Sequence, residues 1–188
     1  GFGINPRNGE SLWADDNSNR ANDDVIKRLV RTEGGGAQPP AQLSGTGFFE
    51  ELEDLIPAVG VVPYEVNVPF WSDHAEKTRW FAMPDDGSTM TWAENGAWAF
   101  PEGQVWVKHF ELDLNRDSPG TNVRRVETRF LVKTADDVYG LTYRWNDAQT
   151  DADLVSADGL EEDFTILEGG QSRTQTWKYP SRADCRTC

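Results

Sequence analysis

From residue 60 onward the chain never holds one hydrophobic period for long. Short runs of alternating apolar and polar residues are broken about every 8 to 12 residues by Gly, Pro or Asn-Gly. "QVWVKHFELDL" sets Val105, Val107, His109 and Glu111 against Trp106, Lys108, Phe110 and Leu112. "VRRVETRFLVK", with Val123, Val126, Phe130 and Val132, reads as a strand of similar length, and "DVYGLTYRWN" as another. "TRWFAMP" is a short strand that turns at Pro84–Gly87, and "STMTWAENGAWAFPEG" is two strands about an Asn-Gly turn. "EDFTILEGGQSRTQTWKYP" is two strands joined at Gly169-Gly170. Roughly seven to nine strands with such turns are the pattern of an all-β fold, an antiparallel β-sandwich or jelly roll. Seventeen Gly, 10 Pro and 8 Trp agree with short strands, turns and aromatic packing.

The stretch before the strands differs. In "GFFEELEDLIPAVG", Phe48, Phe49, Leu52, Leu55 and Ile56 fall at helical spacing, with Thr46 placed to cap and Pro57 to stop. One short N-terminal helix is therefore expected ahead of the sandwich. Residues 33–46 read as a Gly/Pro linker, flexible and then stiff. Residues 1–32 read as turn, strand, loop and strand, too little to bury a face alone. Gly1 is not an initiator methionine, so the chain reads as processed or as a piece of a longer protein. The resulting division is 1–32, linker 33–46, sandwich 47–180 and a terminal segment 181–188.

Charge limits the partners. Thirty-two acidic against 18 basic residues give a net charge of −14. Such a chain repels phosphate backbones and anionic membranes, so no nucleic acid is expected. No stretch approaches the roughly 20 apolar residues of a spanning helix, so no membrane span is expected either.

Several side-chain sets carry chemistry. Cys185 and Cys188 are the only cysteines, as a Cys-x-x-Cys. That spacing serves a redox pair, half of a zinc site, a plain disulfide, or the start of the Cys-x-x-Cys-His of c-type haem attachment. A redox pair needs a βαβ context that the strand pattern lacks. Ser181 is placed to cap a short helix carrying the first cysteine. "YRWNDAQTDADL" offers Asn146, Asp147, Asp151 and Asp153 as oxygen ligands for calcium, or as a capped polar loop. Asp15, Asp16 and Asn17 pose the same choice. His109, on the face of Val105 and Val107, reads as a packed core histidine. His74 stands in a loop with Asp73 and Glu76, the place to look for a metal or a catalytic carboxylate. Among the aromatics, Trp71 and Trp145 lie beside polar loops and are the expected exposed rings for stacking on carbohydrate. "RRVETR" reads as cross-strand ion pairs. No Ser-His-Asp set, phosphate loop or close acid pair stands out.

Five stretches also carry a resemblance: "VPYEVNVPFWSDHAEKTRWFAMP", "WAFPEGQVWVKHFEL", "RRVETRFLV", "YGLTYRWNDAQTDADLV" and "QTWKYPSRADCRTC". In this order they resemble a β-rich domain of secreted bacterial multidomain proteins. There a propeller similar to quinoprotein glucose/sorbosone dehydrogenases comes first and a c-type cytochrome domain follows. The resemblance covers residues 43 to 188, and residues 1–32 are similar to the last propeller strands. It implies a periplasmic or extracellular protein with haem c on Cys185 and Cys188, whose proximal histidine is the next residue. It also implies that PQQ and any sugar or alcohol oxidation belong to the parent propeller, so that no catalytic residue is expected here. That family carries a small residue where His74 stands, which sets His74 apart from a shared role. The function expected is thus a non-catalytic link between propeller and cytochrome; the alternative is a carbohydrate- or surface-binding module, stiffened by calcium.

Overall fold

The stretch expected to be a helix folds as a hairpin in the computed structural model, which describes residues 39–84 and 86–187. Strand β1 (Phe49–Glu51) pairs antiparallel with β2 (Ile56–Pro57), after a single 3-10 turn at Ser44–Thr46. The Thr46 hydroxyl donates to the Leu43 carbonyl at 2.7 Å and accepts from the Phe48 N–H at 3.2 Å. It closes the turn and caps nothing beyond it. Phe48 and Phe49 are both buried, and Phe48 meets Phe130 edge-on at 5.3 Å. A helix this short is marginal in water, so burying both rings outweighs its local preference. Residues 39–46, expected in the linker, are packed here as well. Leu43 is buried and donates its N–H to the Ala152 carbonyl at 2.8 Å, and the Tyr143 hydroxyl donates to the Pro40 carbonyl at 3.0 Å. The expectations for residues 1–38 and for Cys188 lie outside the described residues.

Six further strands form one open antiparallel sheet in chain order: β3 (Val62–Pro63), β4 (Glu76–Ala82), β5 (Val105–Asp113), β6 (Val123–Lys133), β7 (Val138–Trp145) and β8 (Ala152–Leu154). The fold is all-β, as expected. Its sheet is a meander, without the crossing connections of a jelly roll among the described residues. The stretch read as a hairpin over residues 88–103 shrinks to one bridge, Thr91 with Ala99. Its residues are mostly exposed, Trp92 among them, and have no face to bury.

Strand β9 (Leu160–Glu168) pairs with β10 (Gln171–Tyr179) through the expected two-residue turn. Gly169 and Gly170 both take positive φ, 62° and 71°, the left-handed backbone that such a tight hairpin needs. The Asp117 carboxylate accepts both of their N–H groups, at 2.6 and 2.8 Å. Helix α1 (Arg182–Thr187) closes the described chain.

The two faces of the sheet bury different partners. One face puts Trp80, Val107, Phe130, Leu141, Tyr143 and Trp145 under the Leu43–Val61 segment. The other puts Phe110, Leu112 and Val126 under Phe164, Ile166, Trp177 and Tyr179 of the β9–β10 hairpin. A bulge makes the second core. Phe110 pairs with Glu127 and Glu111 with Arg125, which leaves Val126 as the extra residue of β6. Val126 and Glu127 therefore turn to the same side, beneath the hairpin.

Candidate ligand-binding face

Pairing of the strands sets three cations in line across the sheet. Arg79 of β4 lies opposite Lys108 of β5, and Lys108 opposite Arg129 of β6. Like charges placed directly opposite one another destabilise a sheet. One neighbouring row runs Phe81, Trp106, Leu131 and Gly140, and the other runs Lys77, Phe110, Glu127 and Arg144. All share the face that the hairpin half covers.

The counter-charge is small. Arg129 Nε donates to Glu127 Oε1 at 2.6 Å, and Trp177 Nε1 donates to Oε2 at 3.1 Å. Burial pushes the Glu127 carboxyl above its usual range, although Arg129 pulls it the other way. The Arg144 guanidinium is already satisfied by a fork on Glu162, at 2.8 and 2.5 Å. Lys108 and Arg129 lie over the Phe110 ring, 4.9 and 5.2 Å from its centre. Burial, then the Arg79, Arg129 and Lys77 charges, bring the Lys108 ammonium down to about 8. Arg79 is 9% exposed, and no hydrogen bond or ion pair satisfies its guanidinium among the described residues. Arg129 and Lys108 thus act on the one buried carboxylate, Glu127, and Arg79 and Lys77 act on Lys108 from β4.

The exposed loop before β4 borders this row. Lys77 donates its ammonium to the Phe70 carbonyl, and Gln175 Nε2 donates to the Asp73 carbonyl at 2.9 Å. These bonds tie the loop to β4 and to the hairpin. Its tip presents Phe70 (76% exposed) and Trp71 (71% exposed) to solvent. Trp71 meets His74 edge-on at 5.6 Å, and Asp73 and His74 hold the turn at positive φ.

Trp145, the other expected exposed ring, is 1% exposed. Its indole N–H donates to Thr128 Oγ1 at 3.0 Å, and that oxygen also bonds His109 Nδ1 at 2.8 Å. Trp145 ends β7 on the buried face, and the loop polarity that drew attention to it begins only at the next residue. His109 is the core histidine its strand position predicts, and burial lowers its basicity. The ion pairs read in "RRVETR" exist in part. Arg125 faces Glu111 across the sheet at 3.6 Å, whereas Arg129 faces Lys108 and pairs with Glu127 within its own strand.

The acidic loop after β7 spends its oxygens on the chain. Asp151 accepts from the Ser44 N–H and hydroxyl at 3.1 and 2.6 Å, and from the Ala152 N–H at 2.7 Å. Asp147 takes Arg124 at 2.6 Å, and Asn146 Oδ1 accepts the Thr150 N–H at 3.1 Å. Asp153 is exposed on β8, and its backbone bridges to Gln42. This is the capped polar loop rather than a converging ligand set. Among the described residues no three His, Cys, Asp or Glu side chains gather to hold a metal ion, His74 and Glu76 included.

Cys185 rides α1, which carries the expected cap. Asp184 N–H donates to Ser181 Oγ, and Ser181 N–H to Asp184 Oδ2, each at 3.0 Å. Cys185 is half-buried and packs on Gly140, where any added Cβ would collide with its Cβ and Sγ. A strand glycine thus makes room for a cysteine at the end of the Phe81–Trp106–Leu131 row. As a haem c site the described residues supply an attachment thiol and no axial imidazole. His109 points to the opposite face, and His74 lies in the loop before β4, three strands away from β7.

No described helix is long and apolar enough to cross a membrane. No protein family, curated protein or solved structure matches this chain.

Proposed function

We propose that this chain is a β-rich binding module whose half-covered sheet face takes an anionic ligand. The observation that carries this reading is the line Arg79–Lys108–Arg129, in which Lys108 and Arg129 face one carboxylate and the Arg79 guanidinium has no partner among the described residues. Opposed cations cost stability, and a bound anion offsets that cost. The rest of the surface repels long polyanions, so the reading favours a small ligand held within the short reach of the row. Titration of the protein with small oxyanions, followed by tryptophan fluorescence at low and high salt, tests it. Saturable, salt-sensitive binding that weakens in Arg129→Gln supports it, and no binding of any anion rejects it.

A second reading has its own observation. Cys185 sits on a capped helix docked against Gly140, which fits a segment that enters a c-type haem attachment. On that reading the chain is the non-catalytic link between a quinoprotein-like propeller and a cytochrome in an exported electron-transfer protein. Haem c would be held through the Cys185 and Cys188 thiols and would supply one-electron chemistry. The sheet would fix the position of α1. An intact mass and visible spectrum of the protein isolated from its native source decide this: a covalent haem supports the link, and an unmodified mass with no cytochrome absorbance rejects it.

A further inference from the structure

We propose that the Arg79–Lys108–Arg129 row and the Trp71 loop form one site for a uronic-acid sugar residue. This rests on the binding-module reading and names its ligand.

The charge side comes from the row. A guanidinium offers a planar fork that matches a carboxylate, whereas an ammonium acts as a point charge. Arg79 is 9% exposed, and among the described residues no hydrogen bond or ion pair takes up its guanidinium, which leaves its fork available to a ligand. Arg129 is turned toward Glu127, and Lys108 stands between the two arginines. One carboxylate on this line meets three cations and relieves their mutual repulsion.

The ring side comes from the loop. Trp71 and Phe70 are exposed on the loop held by Lys77, two residues before Arg79 on the same face of β4, and by Gln175 of the hairpin. A flat indole pairs with the apolar face of a pyranose while the sugar hydroxyls stay in water. An aromatic acid would instead want an enclosed apolar pocket. Lys77, Lys108 and Arg129 are half-buried beside the exposed Trp71 loop, an open margin that suits a ligand with one polar and one apolar side.

The experiment is a fluorescence titration of the full chain with sodium glucuronate, glucose and sodium sulfate at constant ionic strength. Glucuronate should bind with Kd on the order of 1 mM. Arg79→Gln, Arg129→Gln and Trp71→Ala should each weaken it about tenfold or more, with circular dichroism unchanged. Glucose should not bind, and sulfate should bind weakly and without regard to Trp71. Sulfate binding as well as glucuronate, with Trp71→Ala inert, overturns the sugar acid and leaves an anion site. Glucose binding as well as glucuronate overturns it too. Absence of all binding overturns the module reading itself. Should Arg79→Gln fail to fold, the half-exposed Lys108→Gln and Arg129→Gln carry the test.

Discussion

Trp177 donates its indole N–H to the Glu127 carboxylate, 3.1 Å away, from a hairpin that shares no ladder with Glu127's own strand. Glu127 is fully buried there, and burial raises its carboxyl above the ordinary value of 4.5. Well below that value both folded and unfolded chains hold the proton. As pH rises through the higher folded value, the unfolded chain ionises more readily and stability falls. Melting temperature followed from about pH 4 to pH 8 should drop more steeply in the wild type than in Glu127→Gln. Parallel curves would sink this assignment.

Lys108 has the opposite sense. Its ammonium is brought from 10.5 down to about 8 by burial and by Arg79, Arg129 and Lys77. Its penalty is absent above the unfolded value and complete below the folded one, so stability falls as pH drops from 10.5 through about 8. Reductive methylation with a carbon-13 label should give one lysine signal titrating near 8. Arg129→Gln should move that signal upward. A Lys108 signal at the ordinary lysine value in the folded protein would refute the geometry of the row.

Gly140 and Cys185 should couple. Gly140→Ala drives a methyl into the Cys185 side chain and should cost about 1–3 kcal/mol as overpacking. Amide exchange should locate the loss in α1 and β7. Cys185→Gly removes the colliding atoms, so the double variant should be more stable than the sum of the single effects by about 1 kcal/mol. Strict additivity would mean that α1 does not dock where described.

Thr128→Val should damage the core without changing its volume. The hydroxyl serves both Trp145 Nε1 and His109 Nδ1, and both groups are buried. Leaving the two unpaired should cost about 2–3 kcal/mol in urea unfolding. Thr128→Ser, which keeps the oxygen, should recover most of that. Equal losses in the two variants would show that packing, not hydrogen bonding, sets the position.

Much of this molecule was legible from spacing. Alternation marked β5, β6 and β7, the Gly-Gly pair marked the β9–β10 turn, and Ser181 marked the cap of α1. What escaped has physical causes. Phe48 to Ile56 carries a helical period, but its rings are buried by a sheet that forms far along the chain. Trp145 looked exposed because its downstream neighbours are polar, although strand parity buries it. The cationic row was hidden because Arg79, Lys108 and Arg129 meet only once strand register is fixed. The bulge at Val126 left no mark in the sequence at all, yet it decides that Glu127 faces the hairpin. Three basic residues at mid-strand on one parity were the signal available for the row.

The β9–β10 hairpin is a separate ladder joined to the main sheet chiefly by side chains. The joints include Trp177 to Glu127, Arg144 to Glu162, Arg116 to Gln175 at 2.7 Å, Asp117 to the Gly169 and Gly170 N–H groups, and a backbone bridge at Asn115 and Leu167. Such a unit opens before the whole domain does. Opening wets Glu127 and lets it ionise, so each sub-global excursion is favoured by alkali and opposed by acid. The C-terminal hairpin thus carries its own proton-linked stability, distinct from that of the meander it covers.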